Sequence, residues 1–294
     1  MPLEGRGTSY SRRRALVEWG LEHAYRDGWP ARLAHAFGLH GQLRVIRHEV
    51  RAPGDTSLRI AFASDFHAGP TTHPSQLDAA AAALDAAEPD VVLLGGDFVF
   101  LSSRHVGLVA DRLRGVRARL GKFAVLGNHD LWANDRHITA TLERAGVRVL
   151  FNETAKPAPR IAICGVDDPW TGSRDGVRAF DDAATDDYRI LLAHAPEALL
   201  TIGDARFDLG LCGHTHGGHI ALPGGVPIIV PGPLGRRYAH GRFELGDGRT
   251  LIVSRGIGAT ESPIRWNADP DVLVVDVHRA SSGLVRRGAT EPWP

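Results

Sequence analysis

The sequence is short of cysteine, of net charge and of long apolar runs. Its two cysteines, Cys164 and Cys212, lie in apolar strand-like runs, which excludes a disulfide framework and predicts buried free thiols. Lysine plus arginine equals aspartate plus glutamate at 34 each, so the charge balance indicates no nucleic-acid partner. No apolar stretch is long enough to cross a bilayer. With neither an internal repeat nor a low-complexity linker, the 294 residues predict one globular domain.

Residues 1–56 precede the regular part of the pattern and are treated as a separate N-terminal segment. Ser11-Arg12-Arg13-Arg14 resembles the start of a twin-arginine export signal, but charged residues interrupt the stretch that follows it. The segment predicts two short helices and an edge strand that pack on the domain. The alternative is a basic surface helix that contacts a membrane. We therefore expect a cytoplasmic protein, with peripheral membrane contact left open.

From residue 57 the chain alternates short apolar runs with helical segments. Apolar runs that predict buried strands lie at 58–63, 91–94, 122–126, 188–193 and 207–212. Helical patterns lie at 75–87, 104–120 and 138–145. After residue 218 strand signals dominate, with a hairpin turn at 246–248. The pattern predicts an α/β domain over 57–280, with sheets covered by helices, and a tail over 281–294.

Polar side chains of ligand type follow five of the predicted strands. They are Asp65, His67, Asp97, Asn128, His194, His214 and His216. Ligands gather at the carboxyl ends of strands in such folds. Because residues two apart on an extended chain point the same way, Asp65 and His67 can share one metal ion. His214 and His216 can do likewise or reach two adjacent ions.

The types of these side chains indicate the metal and its use. Mixed oxygen and nitrogen donors suit Mn, Fe or Zn, and the lack of a thiolate weighs against structural zinc. Seven donors exceed the needs of one ion but fit two ions that share a carboxylate, with Mn favoured. Two ions roughly 3.5–4 Å apart lower the pKa of a bridging water and hold both non-bridging oxygens of a phosphate. A histidine outside the donor set can then protonate the leaving oxygen.

The order of these motifs resembles the calcineurin-like metallophosphoesterase superfamily. The motifs are Asp65-x-His67, Gly96-Asp97, Gly127-Asn128-His129-Asp130, His194 and Gly213-His214-x-His216. The span Leu58 to Val277 is similar throughout to a bacterial branch that includes membrane-associated phosphodiesterases and lipid A pathway pyrophosphatases. The resemblance implies a four-layer α-β-β-α sandwich with two central mixed sheets and a dimetal site at the carboxyl ends of strands.

The resemblance also implies a role for each site residue. Asp65, His67 and His216 hold one ion, Asp97 bridges, and Asn128, His194 and His214 hold the other ion. His129 is the catalytic residue that meets the leaving group. Asp130, His219 and Arg265 are assigned to a second layer or to substrate contact, and Arg265 is either a phosphate clamp or part of a structural ion pair.

Three departures from the family pattern bear on these roles. Many members carry an acidic residue that orients the catalytic histidine where this chain has Phe100. Members of the branch often have glutamine where this chain has His219. Many also carry an N-terminal membrane helix, which this sequence does not show.

The sequence therefore predicts a two-metal hydrolase that cleaves a phosphoester bond, with a phosphodiester or pyrophosphate favoured. The expected substrate is a phosphorylated small molecule or lipid precursor, and no partner protein is indicated. Two alternatives stay open. One is a phosphomonoesterase that acts on a small metabolite or nucleotide, and the other is a catalytically inactive scaffold of the same fold.

Overall fold

The computed structural model describes residues 4–52 and 56–279 of the chain. The predicted tail at 281–294 lies outside the described residues. The α-helices in the described part are α1 Arg12–Ala24, α2 Trp29–Ala36, α3 Pro74–Ala86, α4 Val106–Gly115, α5 Asn128–Trp132 and α6 Asp135–Arg144. No helix among these residues is long and apolar enough to span a bilayer.

Fourteen strands accompany these helices in the described part of the chain. The first seven are β1 Arg44–Ala52, β2 Leu58–Ala63, β3 Val91–Leu94, β4 Lys122–Ala124, β5 Val147–Val149, β6 Glu153–Ala158 and β7 Ile161–Gly165. The others are β8 Tyr188–Leu192, β9 Leu209–Cys212, β10 Ala221–Leu222, β11 Val226–Pro227, β12 Gly241–Gly246, β13 Arg249–Val253 and β14 Asp271–Arg279.

Two six-stranded mixed sheets form the centre of the fold. The first has the order β1-β14-β2-β3-β4-β5, in which β14 runs antiparallel to β2 and the other neighbours are parallel. The second has the order β12-β13-β9-β8-β7-β6, with antiparallel pairs at its two ends. Strands β10 and β11 form a separate hairpin. The predicted α/β fold with two mixed sheets is confirmed.

Apolar side chains on the facing surfaces of the two sheets make a shared core. Phe62 and Leu93 of the first sheet and Ile190 and Leu211 of the second belong to it, and none is exposed to solvent. Helices α3, α4 and α6 cover the outer face of the first sheet. The outer face of the second sheet is covered by loops and by two short 3-10 helices, so this fourth layer is thin. Burial of these faces drives the layers together.

The structure differs from the sequence prediction in a few elements. Strand β6 was not predicted, because its sequence is largely polar and contains Pro157, which suits only an edge strand. Helix α4 is shorter than the predicted 104–120 segment, since the chain turns extended at Val116. By contrast, the edge strand expected in the N-terminal segment is present as β1, which pairs with β14 at the edge of the first sheet.

Candidate metal centre

The seven predicted donor side chains meet where strand ends from both sheets converge. Strands β2, β3 and β4 belong to the first sheet, while β8 and β9 belong to the second. Asp65 and His67 follow β2, Asp97 follows β3, Asn128 follows β4, His194 follows β8, and His214 and His216 follow β9. His214 is half-buried and the other six are buried.

One group of donors lies on the β2 side of the site. The Nε2 atoms of His67 and His216 are 3.1 Å apart. Asp65 Oδ1 lies 3.5 Å from His216 Nε2 and 3.8 Å from His67 Nε2. These three side chains offer donor atoms that all lie within 4.8 Å of one another, which is a spacing suited to one ion.

A second group lies on the β8 side. His194 Nε2 is 3.1 Å from Asn128 Oδ1 and 3.0 Å from His214 Nδ1. Asp97 stands between the two groups, because its Oδ2 is 3.3 Å from His194 Nε2 and 3.5 Å from His67 Nε2. A carboxylate at this position can contact both groups at once.

The backbone reaches these positions through left-handed conformations. Five of the seven donor residues have positive φ: Asp65 at 56°, His67 at 43°, Asp97 at 53°, His214 at 70° and His216 at 52°. The extended chain that we expected at Asp65-x-His67 is therefore wrong, although the two side chains do converge. Left-handed backbone is costly for non-glycine residues and clusters at functional sites, where surrounding contacts hold it in place.

Two glycines let the strand ends approach closely. A Cβ on Gly213 would overlap the carboxylate of Asp65, and a Cβ on Gly127 would overlap that of Asp97. The backbone N–H of His214 donates to Asp65 Oδ2 over 3.0 Å, and that of His129 donates to Asp97 Oδ1 over 2.8 Å. Because these two glycines have no side chain, the carboxylates of Asp65 and Asp97 can pack directly against the neighbouring loops.

Comparison with known proteins places this geometry in a family. Residues 58–218, more than half of the chain, match the family model described as calcineurin-like phosphoesterase. The chain is 33% identical over 249 residues to an uncharacterized metallophosphoesterase of Aquifex aeolicus, covering 80% of this chain and 92% of that protein. The chain belongs to the calcineurin-like phosphoesterase family.

Two further relatives are similar over comparable lengths. This phosphoesterase is 31% identical over 250 residues to the phosphodiesterase YaeI of Escherichia coli, covering 81% of this chain and 89% of YaeI. It is 30% identical over 237 residues to the uncharacterized metallophosphoesterase YkuE of Bacillus subtilis, covering 78% of this chain and 82% of YkuE. The protein is a metal-dependent phosphoester hydrolase.

The donor set of this phosphoesterase fits divalent metal ions. Atoms that bind one first-row ion at about 2.1 Å lie roughly 3.0 to 3.4 Å apart. The His67–His216, His194–Asn128 and His214–His194 atom pairs, at 3.0 to 3.1 Å, match that spacing. The Nε2 of His214 is also buried and without a partner among the described residues.

Electrostatics keep most of the imidazoles neutral. Burial lowers the pKa of His67, holds the pKa of His216 well below its usual range, and lowers the pKa of His214 to about 3. The same cause, burial, holds the pKa of His129 well below its usual range. A neutral imidazole keeps a lone pair that can bind a metal ion.

Asp97 and His194 form a charged pair in the centre of the site. Burial acts to raise the pKa of Asp97, but the neighbouring histidines, led by His194, together hold that pKa well below the usual range. Burial acts to lower the pKa of His194, but Asp97 and the other nearby carboxylates together raise it well above the usual value. The Nδ1–H of His194 donates to the Gly95 carbonyl over 2.7 Å, which fixes the ring so that Nε2 faces Asp97.

Asp130 and Arg265 lie behind the donors and hold them from the outer side. Asp130 accepts from the N–H groups of Phe98 and Val99 through Oδ1 and from Gly127 N–H through Oδ2, at 2.8 to 3.2 Å. It thereby ties the loop after β3 to the loop after β4. Burial raises the pKa of Asp130 to about 8.

Arg265 is buried and does not extend into the pocket. Its guanidinium donates to the carbonyls of Gly258, Arg255 and Ala268, and its Nη2 lies 3.1 Å from His216 Nδ1. This places Arg265 against the rear of a donor histidine, in a position to orient that ring. The phosphate clamp and the structural ion pair named from the sequence involve other partners, whereas the second-layer assignment describes a position of this kind.

His129 and His219 line the pocket beside the donors. The cavity has a volume of about 380 Å³. The His129 ring packs at 4.9 Å from the His67 ring, and a His129 nitrogen lies within 4.8 Å of donor atoms on His67 and Asp97. His219 Nε2 donates to the Ser262 carbonyl over 2.9 Å, and burial lowers the pKa of His219 to about 3.

The sequence prediction missed several residues of the pocket wall. They are Arg14, Trp132, Ile229, Thr260 and Glu261. Arg14 belongs to the arginine run that resembled an export signal, and it was not connected to the site. Arg14, Ile229, Thr260 and Glu261 carry no local signal, because they reach the pocket from α1 and from the loops after β11 and β13. Trp132 ends α5, three residues after His129.

Proposed function

We propose that this phosphoesterase uses two divalent ions, with manganese favoured, to cleave phosphodiester or pyrophosphate bonds of a phosphorylated small molecule or lipid precursor. The observation that carries the proposal is the position of Asp97, whose Oδ2 lies within 3.5 Å of a histidine from each donor group. A carboxylate in reach of both groups is placed to bridge a pair of ions held close together.

The preference for a diester or pyrophosphate over a monoester has two supports. One relative, YaeI, is named a phosphodiesterase. The pocket has a volume of about 380 Å³, and its wall includes the apolar side chains of Trp132 and Ile229, which can contact a substituent on the phosphate. Ile229 is 77% exposed, so an apolar chain of a lipid precursor could pack against it.

The two ions would be held by the two donor groups. One ion would be bound by Asp65, His67 and His216. The other ion would be bound by Asn128, His194 and His214, and Asp97 would bind both ions. When bound, such ions activate a water molecule for attack on phosphorus and neutralise the charge of the phosphate. The neutral imidazoles of His67, His214 and His216 would provide lone pairs without first releasing protons, whereas His194 would first release the proton that it carries beside Asp97. The Gly95 carbonyl holds the ring of His194 in place, and Arg265 holds that of His216.

His129 would contact the leaving oxygen from the pocket wall. Its backbone is fixed by Asp97 Oδ1, and its ring packs between Phe100 and Trp132 with centroid distances of 5.4 and 5.1 Å. An imidazole held this firmly can donate an N–H to the oxygen on which negative charge develops as the P–O bond breaks.

The test compares substrates on the full chain loaded with Mn²⁺. Bis(4-nitrophenyl) phosphate and dimethyl pyrophosphate should be hydrolysed with higher kcat/KM than 4-nitrophenyl phosphate. Asp97→Ala should abolish the activity, while Asp111→Ala, at an exposed position of α4, should not change it. A preference for the monoester would favour the phosphomonoesterase alternative. Full metal content without hydrolysis of any phosphoester would favour the scaffold.

A further inference from the structure

Arg14 of helix α1 reaches the wall of the metal pocket. Its Nη2 lies 3.4 Å from Nε2 of His129, although the two residues are 115 positions apart. The guanidinium also stacks over the ring of Trp132, with its Cζ 4.8 Å from the ring centroid. A positive charge therefore stands next to the histidine that we assign to the leaving group.

Two carboxylates fix the orientation of this guanidinium. Arg14 Nε donates to Glu18 Oε1 over 2.7 Å, and Nη1 lies 3.2 Å from Glu261 Oε1. Glu18 is itself buried and accepts a second hydrogen bond, from the hydroxyl of Tyr10. The Nε and Nη1 edges are thus used within the protein, whereas Nη2 lies beside His129 on the pocket wall, where its second N–H can reach a ligand. A fixed fork of this kind loses little entropy when it binds an anion.

The segment ahead of α1 is anchored so that Arg14 stays in this place. Gly7 N–H donates to the Leu131 carbonyl, and Thr8 N–H donates to the Thr171 carbonyl, each over 2.9 Å. Arg6 makes a bidentate pair with Asp167 at 2.6 Å and a contact with Asp135 at 3.2 Å. The anchors lie on α5, which carries Trp132, at the start of α6 and in the loop after β7. The N-terminal segment is in this way built into the pocket wall.

The nature of the neighbouring groups indicates what Arg14 binds. The ring of His129 packs on the apolar ring of Phe100 on one side, and the Arg14 guanidinium lies beside it on another. A guanidinium is suited to oxygens of a phosphate or carboxylate.

We infer that Arg14 binds an anionic group of the substrate on the leaving-group side of the scissile bond. The inference rests on the proposed function and specifies it: the leaving group carries negative charge beside that bond, as a phosphate does in a pyrophosphate linkage. On hydrolysis the P–O bond to this phosphate breaks and its electron pair stays on the leaving oxygen. Water supplies the hydroxyl that bonds to phosphorus, and its remaining proton passes to solvent.

The experiment compares Arg14→Gln with Arg13→Ala in the full, Mn²⁺-loaded chain. Arg13 is the adjacent, exposed arginine of the same helix, so it controls for a change of charge. Glutamine removes the charge of Arg14 yet can still donate to the buried Glu18, and circular dichroism during heating checks that the variant is folded. Two substrates differ in the leaving group: dimethyl pyrophosphate releases methyl phosphate, and methyl 4-nitrophenyl phosphate releases nitrophenolate.

We expect Arg14→Gln to lower kcat/KM for dimethyl pyrophosphate about 10- to 100-fold. This is the effect expected from the loss of one hydrogen bond to a charged group. The loss for methyl 4-nitrophenyl phosphate should be smaller, and Arg13→Ala should change neither. Equal losses on the two substrates, or no loss, would overturn the inference.

A binding measurement separates this inference from the proposed function. Calorimetric titration of the Mn²⁺-loaded protein with methyl phosphate should show weaker binding to Arg14→Gln than to the wild type and Arg13→Ala. This readout requires no turnover, so it tests Arg14 even if the wild type hydrolyses neither substrate, which would refute the proposed function. Unchanged affinity in Arg14→Gln would refute the role of Arg14 while leaving the proposed function intact.

Discussion

The carboxylate of Asp65 accepts the backbone N–H of His214 over 3.0 Å, and this hydrogen bond joins the donor loops of the two sheets. Asp65 follows β2 of the first sheet, whereas His214 follows β9 of the second. A single side chain can therefore act as a candidate ligand and also fix the distance between the two halves of the site. Substitutions at the site should consequently be judged by metal content and by stability together.

Substitution of Asp97 should remove metal as well as activity. Its Oδ2 lies within 3.5 Å of His67 and of His194, one histidine from each donor group, so Asp97→Ala should weaken metal binding by both groups. At saturating Mn²⁺ we expect elemental analysis to find two ions per wild-type chain and fewer in the variant. Removal of a residue that only orients a metal ligand costs up to roughly 100-fold in activity, and the loss in Asp97→Ala should be greater. At most one ion in the saturated wild type would contradict the two-ion assignment.

Substitution of His129 should affect poor leaving groups more than good ones. An alkoxide leaves only with help, whereas nitrophenolate leaves without it, so His129→Ala should lower kcat about 10²–10⁴-fold for an alkyl ester and much less for a nitrophenyl ester. His137→Ala, on the exposed face of α6, is the control. Equal losses for both esters, or release of an ion from the variant, would make His129 a ligand or a positioning residue.

Addition of one methyl group at Gly213 should disrupt the site. A Cβ there would overlap the Asp65 carboxylate and also crowd Ser64, so Gly213→Ala must displace a candidate ligand. We expect weaker Mn²⁺ binding by calorimetry. Gly107→Ala in α4 is the matched control, since its Cβ would meet nothing within 4 Å, and it should stabilise the helix by up to about 1 kcal/mol. Unchanged Mn²⁺ affinity in Gly213→Ala would show that the loop can shift without cost.

Substitution of Asp130 should destabilise the fold. Asp130→Ala leaves the N–H groups of Phe98, Val99 and Gly127 without their acceptor in a buried place. Each such group costs roughly 1–3 kcal/mol, so a loss of about 3 kcal/mol or more in the free energy of unfolding is expected from urea denaturation. Asp130→Asn, which keeps one carbonyl oxygen, should lose less. A stability equal to that of the wild type would mean that water replaces the carboxylate.

The positions of the seven donors could be predicted from sequence because each follows a short apolar run. Strands such as Val91–Leu94 are apolar at every position. A polar side chain directly after such a run therefore marks both the end of the strand and a candidate ligand. The backbone conformation was not predictable in the same way. Left-handed backbone at Asp65 and His67 is imposed by hydrogen bonds such as Asp65 N–H to the Gly96 carbonyl, which join distant segments.

The role of the N-terminal segment could not be predicted from local pattern. Arg14 is one of three consecutive arginines, and Ser11 caps the helix through the N–H of Arg14, which is a signal of secondary structure only. What distinguishes Arg14 from its neighbours is contact with Glu18, Glu261 and His129, and the last two come from remote parts of the chain. Strand β6 escaped prediction for a related reason, because pairing with β7 outweighs its weak strand propensity.

The place of β14 in the first sheet bears on the order in which this protein can fold during synthesis. Strand β14 lies between β1 and β2, so β1 has no neighbour in its sheet until the ribosome has made residues up to 279. Until then the edge of β2 is open to pairing with another chain. Completion of the first sheet depends on pairing of β14 with β1 and β2, which lie far from it in the sequence. Such long-range contacts are slow to form. Nascent chains stalled before residue 271 should therefore be aggregation-prone and bind chaperones, and release of the finished chain should end that state.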